Sequence, residues 1–244
     1  MLRRLLFIAF VITVYSMVWA DFEIDLESGA VFTGYNNIRI PGDQGTKFSL
    51  KDDLESDIEP YLRLRLNYSF NPKHHISLLF APLTVKAKGK VNRDLDYKGE
   101  IFPANTSLKS IYQFNSYRIS YRYDFVNREK VTFGIGFTAK IRDAKISIEN
   151  DTLKTEKENV GFVPILNFKL NWQLRQLWWI IFEGDALAAP QGRAEDVALS
   201  LYHQFRENLG FRIGYRLLEG GADNDEVYTF SLFHYAAFGL SYKF

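Results

Sequence analysis

The chain has 244 residues, a formal net charge of +1 and no cysteine. The missing cysteine excludes a disulfide framework and thiol chemistry, and near-neutrality gives no electrostatic ground for a nucleic-acid partner. Aromatic content is high, with 14 Tyr, 21 Phe and 4 Trp, which suits long strands.

Residues 1–20 read as a cleavable export signal. Arg3 and Arg4 form a basic start, Leu5 to Val14 an apolar stretch, and Val18-Trp19-Ala20 a small-residue cleavage site before polar Asp21. The apolar stretch is shorter than the roughly 20 residues a membrane helix needs. Removing Arg3 and Arg4 takes the basic count from 30 to 28, against 29 acids. The mature chain has no second candidate: runs such as Leu177 to Phe182 fall far below the length of about 18 expected of one. An exported chain without a helical span is a soluble periplasmic protein, a secreted protein or a barrel.

Period-two alternation then repeats along residues 21–244. From Leu62 to Phe70 every even residue is apolar and every odd one polar, and Tyr117 to Phe125 does the same with parity reversed. The pattern predicts strands near 22–34, 57–70, 74–87, 112–125, 129–145, 159–173, 176–187, 194–206, 208–218 and 228–244. Most run to about ten residues, the length of a tilted membrane strand, whereas soluble strands more often have about five or six. The connections alternate: Asn71-Pro72-Lys73, Val126-Asn127-Arg128, Leu174-Arg175 and Glu207 are tight, and the others are long and polar, the longest between Lys88 and Ile111. Short periplasmic turns and long outer loops are the layout of outer-membrane barrels. Eight or twelve strands follow instead if 88–111 pairs differently.

The chain stops at Phe244 within a strand, with Tyr242, Leu240 and Phe238 on the same face. This row resembles the C-terminal signal by which bacterial outer-membrane barrels are recognised for assembly. Across its mature length the chain resembles the small bacterial outer-membrane β-barrel proteins of eight to ten strands. The resemblance implies an all-β, antiparallel up-and-down transmembrane barrel over residues 21–244, a single domain in the cell outer membrane. Its expected partners are outer-membrane lipids, lipopolysaccharide and, during biogenesis, the barrel-assembly machinery. The class holds structural barrels, narrow pores and surface enzymes, so it does not fix the activity.

Parity gives the interior. Asp25, Glu27, Arg63, Arg65, Arg118, Arg122, Glu183, Arg212, Arg216 and Lys243 point inward, and the first-strand acids are expected to meet Arg65 on one side and Lys243 on the other. Inside a narrow barrel such charges must be paired or hydrated. Near eight strands side chains fill the interior, and mixed signs favour cross-lumen pairing, so a salt-bridged plug is preferred to an aqueous passage.

The outer rim is the expected place for binding, with Lys140, Arg142, Asp185, Arg193, Asp196, Asp223 and Asp225 as candidates for a sugar, a phosphate or a divalent cation. The run Asp223-Asn224-Asp225-Glu226 has hard oxygen ligands but not the spacing of a calcium loop, so a solvated turn is preferred and no metal or cofactor is expected. Ile40 to Thr46 lacks the lysine and following helix of a phosphate loop. Of four histidines, His74, His75 and His203 fall near periplasmic turns and His234 on the lipid-facing parity. No nucleophile–base pair assembles. The expectation is a non-enzymatic barrel with a structural, binding or narrow-pore role. The alternative is a surface enzyme acting on lipid or peptide at the rim.

Overall fold

The computed structural model describes residues 21–189 and 192–244, so the export signal assigned to residues 1–20 and the loop residues Pro190 and Gln191 lie outside the described residues. The strands are β1 (Asp21–Arg39), β2 (Phe48–Ser49), β3 (Glu55–Ser56), β4 (Glu59–Asn71), β5 (His74–Ala81), β6 (Thr84–Lys90), β7 (Leu95–Tyr97), β8 (Glu100–Phe102), β9 (Ser107–Arg128), β10 (Val131–Glu149), β11 (Lys154–Arg175), β12 (Trp178–Ala189), β13 (Gly192–Arg206), β14 (Leu209–Asp223) and β15 (Tyr228–Lys243). They form a closed antiparallel barrel of ten staves, because β1 pairs with both β4 and β15 and every wall strand between them pairs with its sequence neighbour. Closure leaves no continuous edge, as a lipid-facing sheet requires.

The segment predicted as one strand over 74–87 is a single stave broken at Pro82-Leu83 into β5 and β6, both paired with β9. The reason is local: proline cannot donate to the ladder, and the Phe114 amide instead donates to the Leu83 carbonyl at 2.8 Å. Tight turns at Pro72-Lys73, Glu129-Lys130, Gln176-Leu177 and Glu207-Asn208 close one end. Two of them lie a residue or more beyond the turns read at Val126-Asn127-Arg128 and Leu174-Arg175, since the ladder continues through those residues.

The outward face is apolar around the barrel: Leu26, Leu62, Leu78, Ile119, Ile135, Phe137, Leu199 and Ile213 are all exposed. Aromatic residues gather toward the tight-turn end, where Tyr68 meets Phe70 edge-on and Trp178 stacks on His203 at 4.2 Å. Phe238, Leu240, Tyr242 and Phe244 form one exposed outward row. Phe244 packs against Phe22 and donates its amide to the Phe22 carbonyl at 2.9 Å, so the last residue sits on the first strand.

Polarity inverts along the strands toward the long-loop end. On β10, Ile135, Phe137 and Ile141 face outward and Thr138 and Lys140 inward; farther along, Ile146 and Ile148 are the buried residues while Lys145 and Glu149 pair with acids and bases of β11. The lower half is patterned for lipid outside, the upper half for water. The two longest connections, read from the sequence as polar loops, correct that expectation. Residues 40–58 supply Ile40, Phe48, Leu50 and Leu54, and the segment holding the β7–β8 hairpin supplies Val91, Leu95, Tyr97 and Phe102, to an apolar core inside the upper barrel. The hairpin caps the barrel and adds no stave; the Tyr97 hydroxyl donates to the Ile146 carbonyl at 2.8 Å. Arg93 clamps Asp53 through two bonds of 3.0 Å, tying the two loops together.

Candidate functional site

The inward positions of the lower half build a layer of ions across the lumen. Arg212 binds Asp25 and reaches Glu27 at 2.8 Å. Arg216 bridges Glu27 at 2.8 Å and Asp196 at 2.6 Å. Arg118 bridges Asp185 at 2.5 Å and Asp196 at 2.6 Å, and Arg63 reaches Asp196 at 2.9 Å. Asp185 also accepts from Thr138 at 2.6 Å and Asn167 at 3.0 Å. Among Arg118, Glu183, Asp185 and Asp196 the free volume is about 20 Å³, room for roughly one water. A cavity of about 290 Å³ lined by Glu23, Asp25, Arg212 and Lys243 lies on the tight-turn side.

Arg65 does not meet the acids of β1. It crosses the lumen to Glu183 at 2.9 Å, joined there by Lys169 at 3.4 Å. The Arg65 guanidinium is long enough to reach the opposite wall, so its ladder neighbour Asp25 is not its ionic partner. Lys169 with Glu183, and Arg63 with Glu27 at 3.7 Å, are ladder neighbours that do pair. Lys243 stands at the tight-turn mouth, exposed, 4.0 Å from Glu23. Arg122 joins a separate group with Asp124 at 2.7 Å, which His75 meets at 3.0 Å.

Above the layer, Tyr61 and Tyr235 pack edge-on at 4.7 Å, and Tyr61 donates to Glu27 at 3.3 Å. From there the lumen is filled by the apolar core, except on the side of β10 and β11. There a cleft of about 540 Å³ opens at the long-loop end. Its apolar wall includes Tyr112, Phe114, Ile146, Val163 and Leu187, and its bases include Lys140, Arg142 and Lys157. Lys140 is only 2% exposed, with its ammonium 4.7 Å over the Phe114 ring. Among the described residues no carboxylate lies within ion-pair distance of it. Arg142 is held by the Asn159 side-chain oxygen, with its Nε buried and without a hydrogen bond.

Of the rim candidates, the structure brings Lys140, Arg142 and Arg193 to this cleft, Arg193 at its edge and paired with Glu219 and Tyr35. Asp185 and Asp196 lie deeper than the rim assigned from the sequence, inside the ion layer, where β12 and β13 each extend two residues farther toward the long-loop end than the alternation suggested. Asp223 and Asp225 lie at the exposed β14–β15 turn, where the Asp225 carbonyl accepts from Gly42 at 2.8 Å. Among the described residues no group of three or more His, Asp or Glu could hold a metal ion. His234 stays on the outer wall, bonded to Tyr215. Sequence reasoning missed Phe114, Asn159, Lys157, Val163 and Leu187 as cleft residues. The alternation predicted arms of 159–173 and 176–187 and gave no signal for them; the cleft follows from β11 having 22 residues in the structure and β12 only 12.

No family model and no curated protein matches the chain. Among solved structures it is similar to the outer membrane protease OmpT from Escherichia coli, at 9% identity and a TM-score of 0.60, over 92% of this chain and 97% of that one. Weaker likenesses are Ail of Yersinia pestis, determined with a heparin analogue (10% identity, TM-score 0.43, 91% and 99% covered), and the translocator domain of the autotransporter NalP from Neisseria meningitidis (10%, 0.44, 92% and 88%). At such identities the likeness speaks to the fold. With the closed ten-stave wall, its apolar outward face and the alternation of tight and long connections, the chain has the fold of the small outer-membrane β-barrel proteins.

Proposed function

We propose that the protein is a non-enzymatic barrel of the outer membrane, closed to ions, whose work is binding at its outer end. One observation carries this reading: the lumen is crossed by the ion layer around Glu27, Asp196 and Arg216, and the apolar core around Tyr97, Phe102 and Phe233 fills most of the space above it. The cleft runs beside the apolar core down to Lys140, so what a conducting path must still cross is the ion layer, where the roughly 20 Å³ among Arg118, Glu183, Asp185 and Asp196 offers no hydrated route. The tight-turn end then faces the periplasm, and the export segment 1–20 and the terminal row Phe238, Leu240, Tyr242 and Phe244 serve delivery and assembly. Lipopolysaccharide and other outer-membrane lipids surround the wall.

Conductance of the refolded mature chain in a planar lipid bilayer tests this. A silent bilayer, with folding confirmed by heat-dependent gel mobility, is expected. Discrete, reproducible current steps would overturn closure and turn Arg63, Arg118 and Glu183 into selectivity residues.

A further inference from the structure

The wall of the barrel is not equally sealed along its height. The β11–β12 ladder runs from Arg175 opposite Trp178 up to Leu166 opposite Ala186 and stops. β11 continues to Lys154, paired on that stretch, among the described residues, with β10 alone. A seam therefore separates the upper part of β11 from β12, and the cleft lies behind it. Phe162, which faces outward and is 66% exposed, and Val163, the next residue, both line the cleft. The cavity thus communicates with the outer wall at the height where the exposed face is still apolar, at Val160 and Phe162.

The inner end of the cleft holds an incomplete ionic group. The carboxylates below it are taken by arginines: Asp185 by Arg118, and Asp196 by Arg118, Arg63 and Arg216. Lys140 is buried against Phe114 and has no carboxylate of its own among the described residues. Arg142, two residues along the same face of β10, is met among the described residues by an amide oxygen only. A cation buried without a counter-charge is costly unless something supplies the charge. Lys157, farther out, is already 3.5 Å from Glu226. The cleft therefore has apolar walls, two inner cations awaiting an anion, and a side entrance from the apolar wall. Its volume falls within the range of roughly 300–1,000 Å³ typical of small-molecule sites.

Resting on the reading of the chain as a membrane barrel, we infer that the cleft binds a single alkyl chain ending in an anionic head. The ligand enters through the β11–β12 seam, with the head on Lys140 and Arg142 and the chain along Phe114, Val163 and Leu187. A fatty acid and a lysophospholipid with a phosphate head share this chemistry.

The test uses the mature chain refolded in a nonionic detergent and titrated with a dansyl-labelled fatty acid. Saturable binding is expected, with displacement by laurate, by lysophosphatidic acid, or by both; the stronger competitor identifies a carboxylate or phosphate head. The matching fatty alcohol and alkylammonium should compete poorly. Lys140→Met should weaken binding roughly tenfold or more, the size of one charge-assisted contact, without lowering the unfolding temperature. Leu187→Trp, which fills the apolar wall and keeps the cations, should also abolish binding and serves if Lys140→Met does not fold. Absence of saturable binding, equal competition by the alcohol, or unchanged affinity in the folded variants would overturn the inference. Conductance of the same preparation keeps the two readings apart: a silent barrel that binds nothing defeats only the ligand, and a conducting barrel that binds defeats only closure.

Discussion

The lower and upper halves of the lumen fill the same kind of space by opposite means. Below Tyr61 and Tyr235 the inward positions carry Asp25, Glu27, Arg63, Arg118, Glu183, Asp196, Arg212 and Arg216, each buried against an opposite charge. Above them the same inward face carries Val31, Ile38, Ile146, Ile148, Leu218 and Phe233, closed by loop residues Leu50, Leu95 and Tyr97. The difference follows from what lies outside. Where lipid takes the apolar face, only the lumen is left for polar residues, so the interior is ionic and held by pairing. Where water takes the outer face, the lumen becomes an ordinary hydrophobic core. Buried pairs are costly to break singly and give little net stability, whereas apolar burial is additive with area. The two halves should therefore fail differently.

The largest effect is expected from the ion layer. Arg216→Met strands Glu27 and Asp196 with fewer partners and should cost about 3–5 kcal/mol, read as a shift in urea unfolding of the lipid-inserted barrel. A near-wild-type unfolding curve would mean that the layer is not held by pairing. In the upper half, Leu95→Ala removes a fully buried side chain of the cap, at a cost of roughly 2–5 kcal/mol. The loss should appear as protease cleavage within residues 91–106 while the barrel keeps its heat-dependent mobility. If instead the whole barrel unfolds as it does for Arg216→Met, the two halves are one cooperative unit.

The smallest effect belongs to the exposed clamp between the loops. The Arg93 guanidinium, by hydrogen bonding, holds the Asp53 carboxyl below its ordinary range. A depressed carboxylate stabilises the fold above its unfolded pKa, and that stability is lost as pH falls through the folded value. Arg93→Ala should thus cost at most about 0.2–1 kcal/mol at neutral pH, with the gap to wild type closing in acid. A gap that persisted below the folded pKa of Asp53 would show that the clamp acts by packing rather than by charge.

The sequence by itself determined the parity of the wall and which end carries the tight turns, and it favoured ten staves, a number that the pairing of residues 88–111 left open against eight or twelve. Each depends on local alternation and turn chemistry, and Leu62 to Phe70 or Tyr117 to Phe125 can be read without knowing any neighbour. It placed ten strands within a few residues of β1, β4, β5 with β6, and β9 to β15. Tertiary structure alone decided who meets whom across the lumen: Arg65 finds Glu183 on the far wall, not the acids beside it on β1. It also decided the upper core, since Leu95, Tyr97 and Phe102 lie in a short hairpin within a segment of mixed polarity whose burial exists only once the barrel surrounds it. The cleft belongs to the same class. It arises because β11 outlasts β12, a mismatch between two strands that neither strand's own pattern contains. Alternation reports which face a side chain takes; distance across an enclosed space is set by closure of the whole ring.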